Sequence, residues 1–539
     1  MKYFVRQIVT FLFLLVCMDT GLLANGTTIT ILHVNDTHSH LDAIGQKDVK
    51  LEGALGGIAR AATVIRAVRS AEKNVLLLHA GDVFQGDLFF NKYFGVPEFQ
   101  LMKELGFDAM AVGNHEFDRG PGFLNKILST SFVEGSFPLL SANLDMSAFP
   151  QLRSWIRPSI IKTIGCVKVG IFGMTVPNNP TYMPAPVIVR NDILSIAQQE
   201  VAKLRNEGAQ VVICLSHLGI FYDKKMAANV SGIDFVIGGH DHFLFEHPIS
   251  IYNPQGKPTL ILQAGEHYKY IGKLRFSVKN SQITVNDYRI LTVDSSITPE
   301  PTIQTVVSAL EQGIVAQYGN VYKTALATAA CELTKRYDTN TPFRDTPIGN
   351  LVTDAFRHRT GTDVAITALG FISEKIYAGA VVDADVFRAM SYGFEETTGM
   401  GFKLATFTIK GSELLKGLEV GLSQLEVGDD FFIQASGMTF CYNPRNPAGH
   451  RIIVGSIRIN EMDFLPAAHY TVTVNTGIAA LLSRFGISVE NLRTLPDFEY
   501  TVVREYIKRL RNIDYSSEGR IRDVSVVPPR QFKCEARAN

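Results

Sequence analysis

Between residues 25 and 295, short β-rich runs alternate with longer stretches of helical spacing, and this alternation limits the possible folds more than any other feature. TITILHV, NVLLLHA, AMAVG, KVGIFGM, VVICLSH and DFVIGG are strand-like. IARAATVIRAVRSA, between the first two, carries apolar residues at helical intervals. Strands separated by helices predict a layered α/β domain. Pro299 and Pro301 then mark a break, followed by a helix suited to joining two domains. A second alternating region follows. The expected division is a signal peptide over 1–24, a first domain over 25–295, a linker helix over 296–322, a second α/β domain over 323–525 and a tail over 526–539.

Composition narrows the class. Hydrophobic residues make up 46% and charged residues 19% of the 539 positions, which suits a folded globular protein. The formal net charge of +0 provides no basic field for a nucleic acid polymer. Lys2 and Arg6 precede a short apolar run from Ile8 to Cys17, and Ala24 closes a small-residue boundary, the pattern of a secretory signal. That run is short for a bilayer span, and the tail PPRQFKCEARAN is polar, so no stable membrane anchor is expected. A secreted or periplasmic location follows. Cysteine spacing matches neither a zinc motif nor a disulfide framework. Cys166 and Cys214, in apolar runs, are expected in the core, and a disulfide at Cys331 or Cys441 stays open.

Five of the strand-like runs deliver polar residues at the same end. ILHVNDTHSH delivers Asp36 and His38, LLLHAGDVFQG Asp82, AVGNHEFDRG Asn114, VVICLSHLG His217, and FVIGGHDHF His240 and His242. Alone, each patch is no more than a capped turn or a satisfied histidine. In layered α/β domains, however, ligands gather where strand ends meet, and an ordered set of five argues against coincidence. Mixed carboxylate, amide and imidazole donors suit Zn, Mn, Fe or Co. Two such ions about 3.5–4 Å apart can activate a shared water and clamp both oxygens of an in-line displacement. Asp82 is the candidate shared carboxylate. His115 can stabilise charge or supply a proton to the leaving oxygen, and Asp118 can orient it. His33, His40, His267 and His450 lack this support and read as structural or peripheral, with His40 a candidate neighbour of the ligands.

NDTH, GDVFQG, GNHEFD, LSHLG and GGHDH occur in the order of the motifs of the 5'-nucleotidase family of calcineurin-like metallophosphoesterases, which the chain resembles over nearly its whole mature length. The resemblance implies a four-layer αββα domain with a double β-sheet and two divalent ions, followed by a C-terminal α/β domain. It implies that Asp36, His38, Asp82 and His242 hold one ion and that Asp82, Asn114, His217 and His240 hold the other. His115 and Asp118 are the implied catalytic pair.

The second domain departs from the family pattern. PIGNLVTDAF and DADVFRAMSYGFE resemble its motifs, but ITALGFISEKI stands where the family has Asn-x-Gly-Gly-x-Arg. Ala368 replaces the Asn, Phe371 a Gly and Ser373 the Arg. Leu481, Leu482 and Ser483 replace Gly-Gly-Asp, and Pro342 stands near where another Arg is expected, with Arg344 close by. Tyr392 and Phe485 take the places of base-stacking aromatics. Tyr392, Phe394, Phe485 and Arg344 are therefore the candidate substrate contacts. Losing arginine forks while keeping aromatics predicts intact hydrolytic machinery with altered substrate choice. The expected substrate is a small phosphate ester, such as a nucleotide. Alternatives are a nucleotide diphosphate or cyclic-phosphate hydrolase, a non-nucleotide phosphatase, or a noncatalytic binding protein on this fold.

Overall fold

The computed structural model describes residues 26–132, 136–177, 188–395 and 397–526. The expected signal peptide and nearly all of the expected tail lie outside these residues. Among the described residues, no helix is long and apolar enough to cross a membrane. The chain forms two compact units. One comprises the residues up to Ala43 together with Leu55–Phe84 and Tyr93–Ala309. The other takes Ile44–Ala54, Gln85–Lys92 and everything from Leu310 onward. The change falls inside the helix Pro301–Tyr318.

The first unit is built on two sheets. A seven-stranded sheet runs in the order Gln282–Thr292, Tyr270–Lys279, Thr27–Val34, Val75–His79, Ala109–Ala111, Leu139–Leu140, Ile156–Arg157. A six-stranded sheet runs Ile249–Tyr252, Pro258–Leu262, Phe235–Gly238, Val211–His217, Val167–Thr175, Ser159–Ile164. The strands bearing Val34, His79, Ala111 and Leu140 are mutually parallel, as are those bearing Thr175, His217, Gly238 and Leu262. Parallel strands buried on both faces read as continuous apolar runs, which is why these segments stand out in the sequence.

Side-chain alternation assigns the layers. In Val211–His217, Val211, Ile213 and Leu215 enter the core between the sheets with Ile29, Ile31, Leu76, Leu78, Leu274 and Phe276. Phe235 meets Phe276 there, ring centroids 5.0 Å apart. Val212 and Cys214 point the other way, toward Ile196, Ala197, Val201 and Met226 of the helices Ile193–Asn206 and Ile220–Asn229. Helix Ile58–Ala71 buries Ile58, Ala59, Ala61, Ala62 and Ile65, a stripe at helical spacing. Helices outside two packed sheets make the four-layer αββα arrangement.

The second unit centres on a five-stranded sheet ordered Ile433–Ser436, Val364–Ala368, His469–Asn475, Lys403–Lys410, Glu490–Phe498. Helix Pro347–Thr360 starts at Thr346, whose hydroxyl accepts from Gly349 N at 3.1 Å, and stops at Gly361 in left-handed conformation. One cysteine expectation fails. Cys166 is exposed, because it sits in the turn that joins Ser159–Ile164 to Val167–Thr175, whereas Cys214 is buried. Cys441 is disulfide-bonded.

Candidate metal centre

The first unit brings all seven candidate ligands together. They form two groups, Asp36–His38–His242 and Asp82–His217–His240, each with donor atoms within 4.8 Å of one another, and Asn114 lies against the second. In the first group, His38 Nε2 is 3.1 Å from His242 Nε2, and His242 Nε2 is 3.5 Å from Asp36 Oδ1. In the second, His217 Nε2 is 3.0 Å from Asp82 Oδ2 and 3.2 Å from Asn114 Oδ1. His240 Nδ1 is 3.1 Å from the same amide oxygen. Asp82 faces both groups, its Oδ2 also lying 3.9 Å from His38 Nε2.

The ring orientations fit a metal. His38 Nδ1 donates to Phe84 O at 3.0 Å, and His217 Nδ1 donates to Ala80 O at 2.7 Å. Each bond leaves Nε2 turned toward carboxylate, amide or another imidazole nitrogen. Such a ring of acceptors, with Asp36, His38, Asp82 and His217 at most 1% exposed, needs positive charge at its centre. Burial lowers the affinity of His217 for a proton, but Asp82 and Asp36 outweigh it and lift the group to about 10. Burial likewise opposes protonation of His242, and Asp36 and Glu266 lift it to about 9. The carboxylates thus favour positive charge at the His217 and His242 rings, whereas burial, with His242 and His115 beside it, holds His38 well below its ordinary value.

The loops carrying the candidate ligands are held in unusual backbone. Asp36, His38, Asp82, His240 and His242 all have positive φ, between 46° and 81°. These conformations are costly for side-chain-bearing residues, so the surrounding bonds must over-determine them. Glu116 supplies much of that restraint. Its carboxylate accepts from Gly113 N at 2.7 Å, Val83 N at 2.8 Å, Asp82 N at 3.2 Å and Phe84 N at 3.3 Å, tying two ligand loops together. Asp36 accepts from His240 N at 3.0 Å and from Asn35 Nδ2 at 2.7 Å. Two glycines make the close approach possible. A Cβ on Gly113 would lie 2.1 Å from Asp82 Oδ1, and one on Gly239 would lie 2.7 Å from Ala80 O.

His115 and Asp118 stand beside this centre. His115 Nδ1 donates to Asp118 Oδ2 at 2.6 Å, and His115 N donates to Asp82 Oδ1 at 2.9 Å. The pair is mostly buried, with side chains 13% and 14% exposed. Burial disfavours the imidazolium, yet Asp118, Asp82 and Glu116 hold His115 up at about 9.

Asn35, Glu116 and Glu266, to which the motifs assign no role, and His267, expected to be structural or peripheral, also lie at this centre. Glu116 lies inside the quoted AVGNHEFDRG patch, and Glu266–His267 closes another apolar run, LILQAGEH, so the same strand-end signal marks it. The His267 ring stacks on His40 at 3.7 Å and stands edge-on to His38 at 5.8 Å. His33 belongs elsewhere, buried against Tyr288.

The candidate substrate residues all lie in the second unit. Phe485 lines an apolar cavity of about 100 Å³ together with Ala368, Phe371 and Phe431. Phe394 packs edge-on against Phe90, and Tyr392 is half-buried. Neither lines that cavity. Arg344 is 4% exposed and committed internally: Nη2 reaches Asp523 at 3.1 Å and Nη1 donates to Phe343 O at 3.0 Å. Ser373 is bound to Ser391 at 2.6 Å.

Two family models match this chain. Calcineurin-like phosphoesterase covers residues 29–244, and 5'-nucleotidase, C-terminal domain covers 323–485. These define a metallophosphoesterase with a 5'-nucleotidase-type second domain. The 5'-nucleotidase of Bos taurus is 30% identical over 458 residues, 79% of this chain and 77% of that protein. A crystal structure of a 5'-nucleotidase precursor from Thermus thermophilus superposes with a TM-score of 0.81 at 30% identity, covering 92% of this chain and 99% of that one. The trifunctional nucleotide phosphoesterase protein YfkN of Bacillus subtilis is 28% identical over 93% of this chain, which spans only 35% of that longer protein. The chain belongs to the 5'-nucleotidase family of calcineurin-like metallophosphoesterases and is a metal-dependent phosphoric ester hydrolase.

Proposed function

We propose that this protein is an exported two-metal phosphoesterase that hydrolyses nucleotides or related phosphate monoesters. The single observation that carries this reading is the position of Asp82, facing both donor groups and also accepting from the backbone of His115. In this reading, Asp36, His38, Asp82 and His242 hold one ion, and Asp82, Asn114, His217 and His240 hold the other. Divalent ions bound there supply Lewis acidity and lower the pKa of water toward neutrality. Asp118 fixes the His115 ring through Nδ1, so that Nε2 is left to meet a phosphoryl oxygen or to give a proton to the departing alcohol. Glu116 keeps the two loops from spreading when the charge of the site changes.

The bovine and Thermus relatives carry the name 5'-nucleotidase, which makes nucleoside 5'-monophosphates the first substrates to test. The second unit favours broader use. Its apolar cavity has Thr367 as the sole polar side chain among its lining residues. A wall without polar groups exacts no penalty from analogues that lack hydrogen-bonding partners. We therefore expect aryl phosphates to rival AMP in kcat/KM. A screen of the metal-restored protein over nucleotides, cyclic nucleotides, sugar phosphates, lipid phosphates and an aryl phosphate tests both points. Absence of hydrolysis by folded, metal-loaded protein would leave only a binding role. A preference for AMP by several orders of magnitude over every other ester would overturn the broad-substrate reading.

A further inference from the structure

Next to His242 lies a carboxylate that the proposed reaction does not use. His242 Nδ1 is in direct contact with Glu266 Oε2, and neither atom has another partner among the described residues. The other oxygen of Glu266 is 2.6 Å from Lys269 Nζ, and Lys269 is itself 5% exposed. The carboxylate is therefore gripped from both sides.

Its loop is fixed to the ligand loops by the backbone. His267 N donates to Asp36 O at 2.9 Å, and Gly265 N donates to Phe243 O at 2.9 Å. Asn35, whose amide reaches Asp36, also accepts from Ala264 N at 2.9 Å and donates to Gly265 O at 2.5 Å. His267 and Tyr268 adopt φ of 57° and 54°, so this turn is held in place against a backbone cost. Glu266 thus cannot drift away from His242 without disturbing the segments that carry Asp36 and His242.

We propose that Glu266 is a positioning residue for the ion held by Asp36, His38 and His242, acting through His242. It keeps the ring proton on Nδ1 and so turns the Nε2 lone pair toward Asp36 and His38. The contrast with the other histidines supports this. His38 and His217 have their Nδ1 protons set by neutral backbone carbonyls, whereas His242 alone of the three has a charged partner. A carboxylate behind a ligating imidazole raises its basicity, and removing such a partner costs typically about 10–100-fold in metal affinity. The inference rests on the two-metal reading and adds an asymmetry to it: one of the two sites is tightened by a charge outside its ligands.

The test is calorimetric titration of metal-free protein with Zn²⁺ or Co²⁺, alongside ¹⁵N spectra of the histidine side chains in the metal-free state. Wild type should take up two ions. Glu266→Gln, close in shape but uncharged, should weaken one site by about 10–100-fold, leave the other within about threefold, and change the Nδ1/Nε2 proton pattern of one histidine. Glu266→Asp should recover part of the lost affinity. Melting curves identify a variant that fails to fold, and Glu266→Gln and Glu266→Asp serve as independent probes. If both sites of Glu266→Gln match wild type, or both weaken equally, the inference is wrong while the two-metal reading stands. If wild type itself binds no divalent ion, the two-metal reading falls with it.

Discussion

In the first unit the strands end on Asp36, Asp82, Asn114, His217 and His240, while in the second unit Val364–Ala368 and Ile433–Ser436 present Ile366, Ala368 and Ile433 to an apolar cavity. Both units are α/β layers, the first gathering polar side chains at its strand ends and the second an apolar cavity beside its sheet. They differ in what the environment must supply. Buried carboxylates and imidazoles demand compensation, so the first centre is surrounded by directed bonds from Glu116, Asn35, Ala80 and Phe84 and by left-handed backbone. A carbon-lined cavity demands only volume. The charged centre therefore fails sharply when one member is lost, whereas the apolar wall changes by degrees. On the proposed function, substrate choice is expected to shift with changes in the second unit while the chemistry of the first stays intact.

The largest effect should come from emptying the charged centre. Chelation is expected to abolish phosphate release, and Zn²⁺, Mn²⁺ or Co²⁺ should restore it. Full activity in the presence of a strong chelator, with metal content measured as nil, would end the account of the first unit. Next in size is His115→Ala. General acid–base groups contribute about 10²–10⁴-fold, and kcat should fall in that range while metal content stays near wild type. If metals and activity were lost together, His115 would belong to the ligand set instead.

The second unit should answer more gently. Phe485→Ala is expected to raise KM for AMP and for an aryl phosphate together, by about tenfold, in keeping with ~1–3 kcal/mol for a stacked ring. An effect on kcat of the size seen for His115 would erase the contrast between the units. The smallest effect concerns stability. Burial raises Glu499 to about 8, against the opposing effect of a hydrogen bond from Asn475 Nδ2 at 2.9 Å, and its Oε1 has no hydrogen-bond partner among the described residues. The folded state therefore binds the extra proton. The stability from neutral Glu499 is complete below its unfolded value of 4.5 and is lost as pH rises through about 8. Glu499→Gln, always neutral, should flatten this part of the melting profile and raise Tm by about a few degrees at pH 9. Parallel profiles for the two proteins would show that Glu499 is not the group responsible.

Much of the first unit was legible because its signals are local. Helix Ile58–Ala71 coincides with the quoted helical run, and every candidate ligand lies at the end of an apolar strand or in the loop that follows it. Glu116 and Glu266 were harder to assign, since their work is done on backbone amides and on a ring brought close only by folding. Arg344 illustrates the limit in the second unit. Its sequence position suggested a substrate contact, but Asp523, 179 residues away, claims its guanidinium. The cavity beside Phe485 was equally hidden, because strands and helices from Ile366 to Ile487 contribute to its wall.

The central claim is that Asp82 joins two ion sites in the first unit. Metal stoichiometry and affinity, measured by calorimetry with elemental analysis on wild type, Asp82→Asn and Asp36→Asn, test it most directly. Wild type should bind two ions per chain, Asp82→Asn should bind more weakly at both sites, and Asp36→Asn should be weakened chiefly at one. A single ion in wild type, or an Asp82→Asn protein that keeps one site at full strength, would contradict it.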